Sequence, residues 1–356
     1  MTARLQADAR KSPFVRVVSG GIAASGTRQI WLVRIADPKT DPAQTQRLLV
    51  LCRQHGDEPA STEALLRLID GVASGGDLAL HSASHVTLYV MPMVNPDGAG
   101  AGTRVNAAGA DLNRDWGVFK QPETRAVAAA VKRIHPALII DAHNWDGNDE
   151  YDADCLEIPR ETETTWGRAA HAWQRQEVQD LAAVGYAVHP TAWGDGSDPH
   201  LAHRWFMHQG IPSALVETHY GPPADRTDFE RREGLYAALV HSLARRYRSP
   251  WTPLAPATDE AALFPPPVPA ASARHAASVP KHPVPWLWAF TLYALALWGM
   301  SLRRTEKVLP ERPIKARYSY PSKRGKTETI YKTDKIYKTE TTLRSGQRNA
   351  VSLPPR

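Results

Sequence analysis

The sequence predicts an α/β fold: a mixed, mostly parallel sheet sandwiched by helices, followed by a proline-rich linker, a transmembrane helix and a basic tail. Three observations point to the sheet. Near-continuous apolar runs of strand length recur through the first 250 residues, as strands covered on both faces require. Helical patterns lie between them, and alternating strands and helices build a sheet with helices on its faces. Three of the runs lead directly into ionisable residues, and α/β sheets collect their sites at the carboxyl ends of strands.

Taken in order, residues 14–18 and 29–35 flank a Gly- and Ser-rich turn and form a hairpin. Residues 47–52 read as a buried strand leading into a helix over 59–69, with Leu65, Leu66 and Ile69 on one side and Pro59 suited to its first turn. Further strands are expected over 86–94, 136–141 and 213–217, and helices over 123–134, 165–184 and 229–247. Residues 1–250 are thus expected to form the globular unit. Residues 251–283 are rich in Pro and Ala, with ten prolines between Pro250 and Pro285, a composition that stays extended.

Residues 284–302 form a 19-residue stretch without a charge, followed at once by Arg303 and Arg304. That is close to the roughly 20 apolar residues that cross a bilayer, and Trp286, Trp288 and Trp298 lie toward its ends, where interfacial aromatics belong. The expectation is a single-pass membrane protein. The tail, 303–356, holds 15 Lys or Arg and 5 Asp or Glu. Its net +10 against +6 for the whole chain leaves −4 on residues 1–302, so the basic character belongs to the tail. A nucleic-acid partner for the front unit therefore has no electrostatic support. The tail repeats Ile-Tyr-Lys-Thr at 330 and 336 and reads as low-complexity sequence suited to anionic lipid. No apolar leader occurs in the first thirty residues, which favours a cytoplasmic front unit, whereas the positive residues after the span would also place the tail there. Cys52 and Cys155 form no disulfide framework.

The chemistry sits at the strand ends. His55 and Glu58 are three apart where a strand turns into a helix, so an imidazole and a carboxylate face the same way. Zinc takes both ligand types and keeps an open position for water in catalytic sites. His143, at the end of the run Pro-Ala-Leu-Ile-Ile-Asp-Ala-His, completes a two-His, one-Glu set for one Zn2+ per chain. Asp141 shares the face of His143 and suits a carboxylate that orients the imidazole, or a turn aspartate. Glu217 terminates the run Ala214-Leu215-Val216, where a carboxylate can take a proton from water on the metal and pass it to a leaving nitrogen.

The chain resembles the zinc carboxypeptidase family, or funnelins, and especially small bacterial members such as the murein-peptide amidases. The likeness runs over about residues 47–221. It rests on His55-Gly56-Asp57-Glu58-Pro59, Asn95-Pro96-Asp97-Gly98, the run from Arg104 through Asn106 and Gly109 to Asp111-Leu112-Asn113-Arg114-Asp115-Trp116, Pro122-Glu123-Thr124, Asp141-Ala142-His143, and Glu217. The resemblance implies that His55, Glu58 and His143 bind zinc, that Glu217 is general base and acid, and that Arg104 stabilises the oxyanion. It also implies that Asn113 and Arg114 grip the free C-terminal carboxylate of a peptide, a cell-wall peptide being one such substrate. The sequence departs from the family at residues 194–200, where many members carry a loop tyrosine. His200 and His203 are the replacement donors nearby, against their plainer reading as loop and helix-surface residues.

Two other readings remain open at this level. One is the related aspartoacylase and succinylglutamate desuccinylase branch, which deacylates N-acyl amino acids with the same ligand types; Asn95-Pro96-Asp97-Gly98 and Trp116 favour the peptidase. The other is an inactive, membrane-tethered zinc-site binding module, suggested by the missing tyrosine.

Overall fold

The computed structural model describes residues 1–41, 44–145, 153–160, 164, 166–194, 196–219, 226–248, 263–264, 318–321, 327–333 and 336–340. The first unit is built on an eight-stranded sheet: β1 (Val15–Ile22), β2 (Gln29–Ile35), β3 (Gln46–Cys52), β4 (Val86–Met91), β5 (Leu138–Trp145), β6 (Cys155–Pro159), β7 (His189–Trp193) and β8 (Ser213–His219). Their order across the sheet is β1-β2-β4-β3-β5-β8-β6-β7. The centre, β4-β3-β5-β8, is parallel. Antiparallel pairs flank it, the predicted β1–β2 hairpin and β2–β4 on one side and β6–β8 on the other.

Burial explains why the central strands read as unbroken apolar runs. Leu48, Val50 and Cys52 face one core cluster while Leu49 and Leu51 face another, so successive side chains of β3 are buried on opposite faces. The first cluster is closed by α1 (Thr2–Lys11), α2 (Ala60–Ala73), α6 (Gly167–Ala183) and α8 (Arg226–Arg246). The second is closed by α5 (Pro122–Ile134) and α7 (Ala202–His208). Short helices α3 (Leu78–His81) and α4 (Pro96–Ala101) complete the set.

Three differences from the sequence-based expectation have clear causes. The strands β6 and β7 and the helices α1 and α7 are too short, or too weakly patterned, to read from periodicity. The stretch expected to be an extended linker contributes Phe264, which is buried in the second cluster with its ring 6.1 Å from that of Tyr89. The tail expected to be low-complexity carries a three-stranded antiparallel sheet, β9 (Tyr318–Pro321), β10 (Thr327–Thr333) and β11 (Ile336–Glu340). The two Ile-Tyr-Lys-Thr repeats pair with one another, Ile330 opposite Thr339 and Tyr331 opposite Lys338, as β-branched and aromatic residues favour. Among the described residues no helix is long and apolar enough to cross a membrane; the expected span, 284–302, lies outside them.

One buried group in this scaffold is set to respond to pH. Glu177 of α6 is buried with Oε1 lacking a hydrogen-bond partner. Burial, aided by Asp180, pushes its pKa up to about 7, against the lowering influence of Ser242, Arg245 and Arg246. Stability that depends on the protonated acid is complete below the unfolded value of 4.5 and is lost as pH rises through about 7. Glu177→Gln is therefore expected to gain stability over the wild type between pH 5 and pH 8, by on the order of 2–3 kcal/mol. Urea unfolding at the two pH values measures this, and an equal difference at both would contradict it.

Candidate metal centre and active site

Three adjacent parallel strands, β3, β5 and β8, deliver the candidate site. After Cys52 the chain turns sharply at Arg53, whose φ of 58° is left-handed. That turn brings Gln54, His55 and Glu58 over the sheet edge. The Asn95-Pro96-Asp97-Gly98 stretch fixes it: the Asn95 amide nitrogen donates to the carbonyls of Gln54 and Arg104, and its oxygen accepts from Gly98 N. Further along, Asp115 accepts from Lys120 N, Gln121 N and the Thr124 hydroxyl, and Asn106 donates to Glu123. Much of the motif set is thus bracing rather than chemistry.

Among the described residues, His55, Glu58 and His143 offer ligand atoms that all lie within 4.8 Å of one another. Glu58 Oε1 is 2.6 Å from His55 Nδ1, and Oε2 is 3.0 Å from His143 Nδ1. The two Nδ1 atoms are 3.1 Å apart. All three residues are buried. Burial disfavours charge on Glu58, but His143 and His55 outweigh it and hold the carboxyl well below the usual range. Burial likewise opposes a proton on His143, yet Asp141 and Glu58 raise its pKa well above the ordinary value. Two imidazole nitrogens and a carboxylate converging on one point form a cation hole, and a metal binding there releases protons.

The opposite edge of each imidazole meets a carboxylate. His143 Nε2 is 3.0 Å from Asp141 Oδ1 and His55 Nε2 is 3.0 Å from Asp111 Oδ1. Such partners fix ring orientation and leave the other nitrogen for the metal, so the donor set and its support fit zinc. Asp111 lay within a recognised motif but had no role in the sequence reading; its second oxygen accepts from Arg104 Nε at 3.0 Å. Burial raises its pKa less than His55 and Arg104 lower it, so it stays ionised. Gln54, which accepts from Trp116 Nε1 at 2.9 Å and donates to Asp141, was also missed. So was Tyr236, whose hydroxyl donates to the His143 carbonyl. No spacing rule ties α8 to β5.

Glu217 stands on β8 opposite His143 of β5 in the sheet register. Its Oε2 is buried without a hydrogen-bond partner. Burial raises its pKa, with Glu58 and Asp141 adding to the effect and His143 opposing it. Arg104 is half-exposed, its Nη1 3.7 Å from Glu58 Oε1. Arg114 is half-exposed as well, pairing with Asp198 at 3.4 Å. Asn113, expected to grip a carboxylate, lies beside His143. It is buried; its amide oxygen accepts from Ala202 N at 2.8 Å and its nitrogen lies 3.3 Å from His143 Nε2. The replacement donors for the missing tyrosine are also committed: His200 Nδ1 donates to the Trp116 carbonyl, and His203 is fully buried.

Residues 1–148 match the family model described as zinc carboxypeptidase. Carboxypeptidase SOL1 of Arabidopsis thaliana is 29% identical over 162 residues, covering 40% of this chain and 33% of that protein. Carboxypeptidase M of Mus musculus is 30% identical over 125 residues, covering 30% and 28%. The chain thus spans a third or less of the length of these curated relatives. A metallo-carboxypeptidase from Burkholderia cenocepacia has a similar structure, with a TM-score of 0.57 at 25% identity over 68% of this chain and 67% of that one.

Proposed function

From the match of residues 1–148 to the zinc carboxypeptidase family model and the similar fold of a bacterial metallo-carboxypeptidase, we propose that the chain is a zinc-dependent metallocarboxypeptidase that hydrolyses the last peptide bond of a peptide with a free C-terminal carboxylate. His55, Glu58 and His143 hold one zinc ion per chain in this reading. The observation that carries it is the setting of Glu217: a buried carboxylate with an unpartnered oxygen, one strand from His143 and beside a three-ligand group.

Zinc at that group supplies a Lewis acid that polarises a carbonyl and acidifies water at neutral pH. Glu217 Oε2 takes the proton from the attacking water and returns it to the departing nitrogen, and the burial that raises its proton affinity suits it to both transfers. Arg104, held by Asp111 with its guanidinium beside Glu58, faces the charge that develops on the carbonyl oxygen. Arg114 receives the terminal carboxylate, which must compete with Asp198 for the guanidinium. Asn113 stands beside that guanidinium: its backbone carbonyl accepts from Arg114 Nη1 at 2.8 Å.

The test is to purify the full-length protein, measure metal content, and profile a mixed library of peptides and N-acyl amino acids with and without a chelator. One zinc per chain and chelator-sensitive release of C-terminal residues are expected. Zinc-free protein that cleaves no peptide would overturn the reading, and hydrolysis of N-acyl amino acids alone would replace it with the deacylase.

A further inference from the structure

The mechanism leaves a buried charged group unused, and it touches the support of His143. Register places Asp141 opposite Leu215, and Leu215 opposite Glu157 of β6. The two carboxylates thus flank Leu215 in one row of the sheet, beside the row that holds His143 and Glu217. His203 of α7, fully buried, bridges them. Its Nε2 is 2.9 Å from Glu157 Oε1 and its Nδ1 is 3.4 Å from Asp141 Oδ2. Asp141 Oδ2 and His203 Nδ1 are each buried without any hydrogen-bond partner, so each is the other's electrostatic compensation. The same Glu157 oxygen is also held by Arg204 at 2.8 Å, and that guanidinium lies over the Trp193 ring.

We infer that His203 and Glu157 are positioning residues that lock the Asp141 carboxylate, and through it the His143 imidazole, in the orientation that presents Nδ1 to the metal. Asp141 is fully buried, and removing one partner from a buried charge leaves an uncompensated ion at high cost. A carboxylate with one oxygen on His143 and the other facing a cation cannot rotate without losing both contacts. Asp141 and Glu157 raise the proton affinity of His203 against the burial that opposes it, so the ring sits between the two carboxylates as their counter-charge. Sequence alone could not find this group, because residues 141, 157 and 203 meet only where β5, β8, β6 and α7 pack together.

The inference rests on the reading of His143 as a zinc ligand, and its test separates the two. Zinc affinity of the full-length protein is measured by chelator competition for wild type, His203→Asn, Glu157→Gln, Asp141→Asn and the Asp141→Asn/His203→Asn double variant. Thermal unfolding of each metal-free protein is followed in parallel. His203→Asn is expected to weaken zinc about tenfold, at the low end of the range for groups that orient metal ligands, and Glu157→Gln, one contact further from the metal, by less. Adding His203→Asn to Asp141→Asn is expected to cost nothing further, because its effect passes through Asp141. Wild-type affinity in a folded His203→Asn, or an equal loss in the Asp141→Asn background, would overturn the inference. Should His203→Asn fail to fold, Glu157→Gln alone decides by the same comparison. A wild type that binds no zinc would overturn the functional reading instead.

Discussion

Glu217→Gln is expected to lower kcat about a thousandfold, within the 10²–10⁴ range for a positioned acid–base group, while one zinc per chain is retained. The amide keeps the size of the carboxylate but cannot accept a proton. Metal should stay because His55, Glu58 and His143 converge without help from Glu217, and their orienting contacts come from Asp111, Asp141 and Asn144 N. The substitution also removes a buried carboxylate whose Oε2 lacks a partner, so stability should hold or rise. Initial rates on a C-terminally cleaved peptide, with metal analysis of the same preparation, give the answer. Wild-type turnover in the variant would exclude Glu217 as the proton carrier; loss of zinc would show it to be part of the metal's own support.

Gly56→Ala is the second large effect, and it acts through backbone. A Cβ at Gly56 would lie 2.0 Å from the Gly98 carbonyl carbon and 2.2 Å from Ala99 N. Neither is the end of a flexible side chain, so one segment must move. The segment that carries Gly56 also carries His55 and Glu58, and the one it meets is locked by Asn95 to Gln54 and Arg104. Overpacking of this kind costs about 3 kcal/mol or more, and the displacement carries two ligands away from His143. A marked fall in Tm together with loss of bound zinc is expected. A variant that kept wild-type Tm and metal content would mean that the two loops yield more easily than their contact implies.

The legible part of this protein was the part written locally. Residues 47–52, 136–141 and 213–217 read as strands because both faces of each are covered, and their carboxyl ends pointed to His55, His143 and Glu217. The observed strands β5 and β8 run on to Trp145 and His219, so His143 and Glu217 lie within the sheet rather than past it. That places them opposite one another in register. The surroundings of Asn113 were hidden for the converse reason: its motif names a residue type, and only the packing of α7 shows its amide oxygen accepting from Ala202 N. His203 looked like a surface histidine of a helix and proved fully buried between two acids. Phe264, inside a proline-rich stretch, carried no periodic signal that it would join the core.

By itself the sequence determined the central strands and long helices, the candidate ligand types and the charge asymmetry between front unit and tail. The strands, helices and ligand types depend on periodicity and spacing over a few positions, and the charge asymmetry on composition alone. The tertiary structure alone decided the support of the site: Asp111 on His55, Gln54 and His203 on Asp141, Tyr236 on the His143 carbonyl, and Asp198 on Arg114. These contacts join residues far apart in the chain, and their geometry arises only when the sheet order brings β3, β5, β8 and β6 side by side between α7 and α8.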